Sequence, residues 1–432
     1  MRAGDSPSLL PLSPFMSFVL VAGIALATAY LFVASPGLAG DEPAHYENVC
    51  FYEAYRTLPV LGHPGVSYEA QMGPVYYALS AMVLGLLKPL GETTAFYALR
   101  AMGLLLIPAI MVLSYCIAAR VKPGDIEFAE TTAAFMTLNP TMLAIASSIQ
   151  NDYLSILLVM ATAFAAYRYF GDSSSPVSKG LKIGALCSAA ILTKATALFM
   201  VCAVPLYAVL RLKNGLVKFI LSFLTTVAGL CSWFFIRNCL LYGDFSAQRA
   251  LTQFHYNNNP LPTNLLEPAH LRYWLWVMQG YYWAPVQYYR DIFHAPIPMR
   301  LAIAAFTVMG CVGIMILLAR PVRAFCAGTV SGERSPATDF GIFLFAAYAS
   351  CLAIYTYSCM RITHFAPRVT FPTIIVYALV IASGAVLLER YGPRSARLYK
   401  YSLVILLSVV NAYVLACILP CVLHHENFIL LR

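Results

Sequence analysis

Charge is what this chain has least of. Only 11% of its 432 residues are Asp, Glu, Lys or Arg, against about 25% in a soluble domain. No stretch of soluble composition is long enough to fold as a separate domain. The twelve cysteines contain no CxxC and no Cys/His cluster with zinc spacing, so no structural zinc site can be read from them. No basic patch interleaved with aromatics accompanies the net charge of +9, and no nucleic-acid partner is expected. Internal repeats are absent, and so are low-complexity tracts beyond "GDSSSP".

What is present is hydrophobicity: 60% of the residues, with a mean hydropathy of +0.72. A bilayer takes about 20 apolar residues per helical crossing. A run of that kind at 15–33 reads as an uncleaved anchor. Further runs follow near 101–119, 131–149, 153–169, 183–193, 196–210, 216–236, 301–319, 340–359, 369–388 and 401–420. The expected architecture is an all-α polytopic membrane protein of about eleven transmembrane helices, a single domain over 1–432. Residues 40–100 form an outer loop with a juxtamembrane helix, 101–236 hold spans, 237–300 form a second large outer loop, and 301–420 hold the last spans. The segment 73–87 is too short for an easy crossing and reads as interfacial or buried.

Basic residues test the orientation. With a cytoplasmic N-terminus, sixteen of the 28 Lys and Arg fall in short inner loops, and the other twelve are spread over much longer outer ones. That is the sign the positive-inside rule expects, and counting 73–87 as a span would reverse it. The run 183–210 is too long for one crossing and is interrupted by Lys194, so two short helices bending there are expected. Cys50, Cys239, Cys359 and Cys421 would lie outside the membrane, with unpaired thiols or a disulfide both open.

Ionisable residues then gather on the outer face. Asp41, Glu42 and His45 follow the first span in "GDEPAH", and Asp152 sits in the turn "IQNDYL". Lys194 lies at the bend, Arg237 ends a span, and "RITHFAPRV" supplies Arg361, His364 and Arg368. Ionisable groups at membrane depth are functional candidates. Carboxylates able to act as a base, with cations able to hold phosphate oxygens, suit displacement of a phosphate leaving group. Each has a plainer role too: Asp152 and Asn151 as a turn and cap, Arg237 and Arg368 as snorkelling residues. The Trp- and Tyr-rich stretch 273–289, including Tyr282, fits an interfacial belt or a stacking surface for a sugar or lipid acceptor.

These segments resemble GT-C glycosyltransferases, integral membrane enzymes that use polyprenyl-phosphate-linked sugars. "GDEPAH" resembles their Asp-Glu motif in the first outer loop. "QMGPVYYALSAMVLGLLKPLG" is similar to their juxtamembrane helix, which precedes a membrane-returning helix from Arg100. "LNPTMLAIASSIQNDYL" resembles the segment with the second acidic residue, and "AAILTKATALF", "RNCLLYGD" and "FAPRVTFP" resemble the Lys bend and the later Arg motifs. The likeness covers roughly residues 15–390. Gly40 and Met72-Gly73 depart from prolines common in relatives.

The resemblance implies an inverting transfer from a polyprenyl-phosphate sugar to a glycan, lipid or protein acceptor. Asp41 would be the general base, Glu42 its support, and Asp152 the second acid. Lys194, Arg237 and Arg368 would hold the donor phosphate, with His45, His364 and Tyr282 binding substrate. Asp41, Glu42 and Asp152 could ligate a divalent cation such as Mg²⁺ or Mn²⁺. The expected location is a bacterial inner membrane, with the site facing the periplasm. Rival readings are a flippase for a lipid-linked saccharide and an O-antigen polymerase or ligase.

Overall fold

The computed structural model describes residues 13–36, 41–255, 267–284, 295–326, 335–361 and 367–418. Among them the regular structure is helical. In chain order the helices are α1 (Pro14–Val33), α2 (Glu42–Tyr55), α3 (Pro74–Leu87), α4 (Glu92–Ala101), α5 (Ile107–Val121) and α6 (Ile126–Leu138). They continue as α7 (Pro140–Ala146), α8 (Asp152–Phe170), α9 (Pro176–Thr193), α10 (Met200–Arg211), α11 (Leu216–Tyr242) and α12 (Gln248–His255). The last are α13 (Pro268–Tyr281), α14 (Ile297–Cys326), α15 (Pro336–Arg361), α16 (Ile374–Leu388) and α17 (Pro393–Tyr413).

Eight stretches among the described residues are long and apolar enough to cross a bilayer: Pro14–Val33, Glu92–Val121, Asp152–Phe170, Leu216–Tyr242, Ile297–Ala319, Pro336–Tyr357, Pro367–Tyr391 and Pro393–Cys417. Large apolar side chains such as Val21, Leu105, Leu221 and Leu301 face outward along them, as lipid-facing positions should. The chain is an integral membrane protein. The expected count of eleven is not what these criteria return. The run at 131–149 is broken at Asn139-Pro140 into α6 and α7, because the ring of Pro140 cannot continue the ladder. The runs 183–193 and 196–210 form α9 and the shorter α10, with Lys194 extended between them (φ −152°, ψ 121°).

Two close approaches set the packing of α9. Gly180 and Gly184 of α9 lie on α11, where an added Cβ would stand 2.0 Å from Ser222 Oγ and 2.9 Å from Thr226 Cβ. Gly73, just before α3, rests on the end of α9, and a Cβ there would come within 2.1 Å of the Leu192 carbonyl oxygen. This explains the departure from proline at 73, since any side chain would push α3 off α9. Helix α3 packs on α2 and buries Tyr76, Tyr77, Ser80 and Leu84, so it is the short, partly buried helix the sequence suggests.

At the opposite end of the bundle, basic residues meet acids across helices. Lys400 contacts Glu127 and Glu130, Lys122 contacts Glu389 at 2.8 Å, and Arg211 contacts Asp339 at 3.2 Å. These pairs lie at the ends of α5, α10 and α17 away from Asp41.

Candidate active site

The N-cap and first turn of α2 present three ionisable groups, Asp41, Glu42 and His45, and each meets a different partner. Glu42 is fully buried. Arg100 of α4 grips it with two prongs, Nε to Oε1 at 2.8 Å and Nη2 to Oε2 at 2.6 Å. The same guanidinium donates to the carbonyls of Leu31 and Ala34 at 2.8 Å and of Ser35 at 3.0 Å. It thereby satisfies carbonyls at the end of α1 that a helix terminus leaves without partners. Glu42 Oε1 also accepts the Ile149 backbone N–H at 3.0 Å. One buried ion pair therefore fixes the end of α1, the start of α2 and the turn before α8.

Asp41, just outside the helix, is different. Its side chain is 28% exposed, whereas those of Glu42 and Asp152 are 0% exposed. Its Oδ1 accepts the Tyr68 hydroxyl at 2.6 Å, and its Oδ2 contacts the Arg368 guanidinium. Arg368 also donates to Gln150 Oε1 at 3.2 Å. Gln150 lines a largely apolar crevice of about 110 Å³ with Tyr76, Met102, Leu106 and Tyr153.

Behind this lip, Lys194 Nζ donates to Asp152 Oδ1 at 2.5 Å, and both are buried. The acid opens α8, where a helix N-terminus favours negative charge, and the lysine closes α9. Asn151 donates to the Thr193 carbonyl at 3.1 Å, so the turn and the bend are stitched twice. Arg237 of α11 donates Nη2 to the Pro59 carbonyl at 2.6 Å, while its Nη1 is buried without a partner.

His45 lies one turn after Asp41 and is buried. Its Nδ1 is 2.7 Å from the Tyr77 hydroxyl, and its Nε2 is 3.9 Å from Glu69 Oε1. Burial, with Lys194 nearby, pushes the imidazole down to about 3, so it is neutral. Glu69 belongs to a short turn held by Ser67, whose hydroxyl donates to the Ala44 carbonyl at 2.7 Å. Burial raises its carboxyl to about 7, partly countered by Lys194.

Asp41, His45 and Glu69 form a group whose ligand atoms lie within 4.8 Å of one another. The trio suggested by the sequence, Asp41, Glu42 and Asp152, is not the one brought together, because Glu42 is taken up by Arg100 and Asp152 by Lys194. Tyr282 is also enclosed. It stacks on Tyr377 at 4.3 Å, its hydroxyl is 2.7 Å from Thr370 Oγ1, and it is 2% exposed, which is a packing arrangement. His364 lies outside the described residues. Sequence reasoning gives no role to Glu69, Tyr68 or the Arg100 side chain. The spacing of Asp41 and His45 puts them on one helix face, a usable signal, but nothing local points to Glu69.

No protein-family model matches the chain, and no curated protein sequence does either. Solved structures do. ArnT from Cupriavidus metallidurans bound to undecaprenyl phosphate superposes with a TM-score of 0.52 at 15% identity, over 89% of this chain and 62% of that one. The Archaeoglobus fulgidus oligosaccharyltransferase in complex with Zn and sulfate gives 0.54 at 11% identity, over 91% and 53%. The AglB oligosaccharyltransferase of the same organism, with an inhibitory peptide and a dolichol-phosphate, gives 0.50 at 10% identity, over 95% and 56%. The chain has a GT-C-like fold. As a GT-C-like chain it spans between 53% and 62% of the length of these neighbours. They match 89–95% of this chain.

Proposed function

We propose that this chain is an inverting glycosyltransferase that moves a sugar, hexose or pentose, from a polyprenyl-phosphate donor to an envelope glycan, lipid or protein. The observation that carries the reading is Asp41, the most accessible carboxylate of the acidic group, held between Tyr68 and Arg368 at the lip of the bundle. The ligands of the GT-C neighbours, undecaprenyl phosphate and a dolichol-phosphate, support a donor of that class.

In this reading Asp41 accepts the proton of the acceptor hydroxyl or amine as that atom attacks the anomeric carbon. The bond to the phosphate oxygen breaks on the opposite side, so the centre inverts. Arg368, Lys194 and Arg237 take the phosphate, the unpartnered Nη1 of Arg237 being a donor ready for it. Fixed cations stabilise the developing charge without reorganising, so a paired general acid is unnecessary. Asp152 holds Lys194 in place, and Glu42 anchors the first turn of α2 through Arg100. The apolar crevice beside Gln150 has the chemistry to receive the first isoprene units. A divalent cation near Asp41 would polarise the oxygens around it. The site would face the periplasm of a bacterial inner membrane.

The test uses the purified chain in nanodiscs with a panel of polyprenyl-phosphate sugars and a cell-envelope extract. Release of free polyprenyl phosphate, with the sugar appearing on an extract component, is the expected result. Movement of intact donor across a proteoliposome membrane without release would instead mark a transporter.

A further inference from the structure

We infer that Arg120 and Arg168 form a headgroup site for one anionic phospholipid, in the leaflet at the end of the bundle opposite Asp41. Arg120 lies in the last turn of α5 and Arg168 in the last turn of α8. The two helices pack on each other. Arg120 Cζ stands 5.7 Å from the centre of the Tyr167 ring, and Tyr167 is the neighbour of Arg168 in sequence. Both guanidiniums act electrostatically on Cys116 of α5, and no carboxylate among the described residues joins them there. Each arginine is exposed.

The acids at this end are already committed elsewhere. Among the described residues, Asp125 and Glu389 meet Lys122, Glu127 and Glu130 meet Lys400, Asp172 meets Lys179, and Asp339 meets Arg211. Neither Arg120 nor Arg168 shares any of these carboxylates. Two cations held side by side repel each other until an anion answers both. A guanidinium meets phosphate oxygens through two parallel hydrogen bonds, so a phosphate is the anion this pair fits.

The surface leading away from the arginines selects a lipid over a soluble anion. Before Arg120 on α5 come Cys116, half-buried, and Val112, 46% exposed. Before Arg168 on α8 come Phe164 and Leu157, both partly buried. An acyl chain below an arginine-bound phosphate has this apolar surface to lie on, and a soluble anion would leave it uncovered. Basic pockets between transmembrane helices are the usual seats of anionic headgroups. The apolar crevice beside Gln150, lined by Leu154 of α8, lies at the other end of that helix. The 19 residues of α8 rise about 28 Å, so the two lipid sites belong to opposite leaflets and do not compete.

The experiment is titration of the purified full chain in detergent with dioleoyl phosphatidylglycerol, read by native mass spectrometry, against dioleoyl phosphatidylcholine. The first phosphatidylglycerol should bind about 25-fold more tightly than the first phosphatidylcholine, about fivefold for each arginine near the headgroup. Arg120→Gln and Arg168→Gln should each remove about fivefold of that margin, and the double variant should abolish it. Arg390→Gln combined with Arg394→Gln takes two exposed cations from another part of the same end. That control should leave the margin within about twofold, since exposed charges beyond a Debye length are screened. Thermal unfolding in lipid-free detergent should match wild type for every variant, which keeps lost binding apart from lost fold. A margin that survives the double variant, or one that falls as far in the Arg390 and Arg394 control, would overturn the inference. The readout involves no sugar donor, so it stands or falls separately from the proposed activity.

Discussion

Lys194 and Asp152, 42 positions apart in sequence, meet at 2.5 Å inside the bundle, and each ends or begins the helix that carries it. Removing one partner leaves the other charge buried and alone. Lys194→Met is therefore expected to lower stability by about 3–5 kcal/mol. Asp152→Asn combined with Lys194→Met should restore most of it. Thermal unfolding of the two single variants and the double variant in detergent checks this.

Arg100 acts at a distance from the reacting atoms. Lysine cannot reproduce its two-pronged grip on Glu42 while also serving three carbonyls. Arg100→Lys should slow turnover by about 100-fold, the scale of an ångström-sized misplacement, with donor affinity nearly unchanged. Separate measurement of kcat and donor Kd distinguishes this from lost binding. Limited proteolysis should show residues 41–71 cut faster in the variant.

Gly73 lets α3 touch α9. Gly73→Ala puts a methyl group into the Leu192 carbonyl, and such overpacking costs about 1–3 kcal/mol. Turnover should fall with stability, because Tyr77 on α3 positions His45. A matched change at Gly243, where a Cβ would meet open space but φ is +66°, separates steric overlap from backbone strain. It should leave turnover intact.

Tyr282 offers a contrast between aromatic belt and binding surface. Its hydroxyl and ring are used internally, so Tyr282→Phe should cost about 1 kcal/mol of stability, the worth of one hydrogen bond. Donor Kd should stay the same. A large rise in Kd with no change in unfolding would return Tyr282 to the substrate.

Much of this arrangement is legible in the sequence, and the limits have physical causes. The apolar runs, the break at Lys194 and the short helix at 74–87 follow from length, hydropathy and a lone charge. The gathering of Asp41, Asp152, Lys194 and Arg368 at one face follows from alternating crossings, since each lies at a junction between helices. Which acid faces solvent does not follow. Asp41 and Glu42 are adjacent, and only the position of Arg100, 58 residues on, decides that Glu42 is enclosed. Glu69 is harder still, because it reaches His45 through a loop whose path depends on Ser67, Ala44 and Arg237. The span criteria lose α6 and α7 for a local reason, Pro140, that hydropathy does not weigh.

The most direct test of the account is Asp41→Asn against wild type, measuring donor binding and polyprenyl-phosphate release on the same nanodisc preparation. A general base contributes about 100- to 10,000-fold. The account predicts release falling by at least the lower figure while the donor still binds. Release at the wild-type rate from Asp41→Asn would contradict it and move the base to another residue.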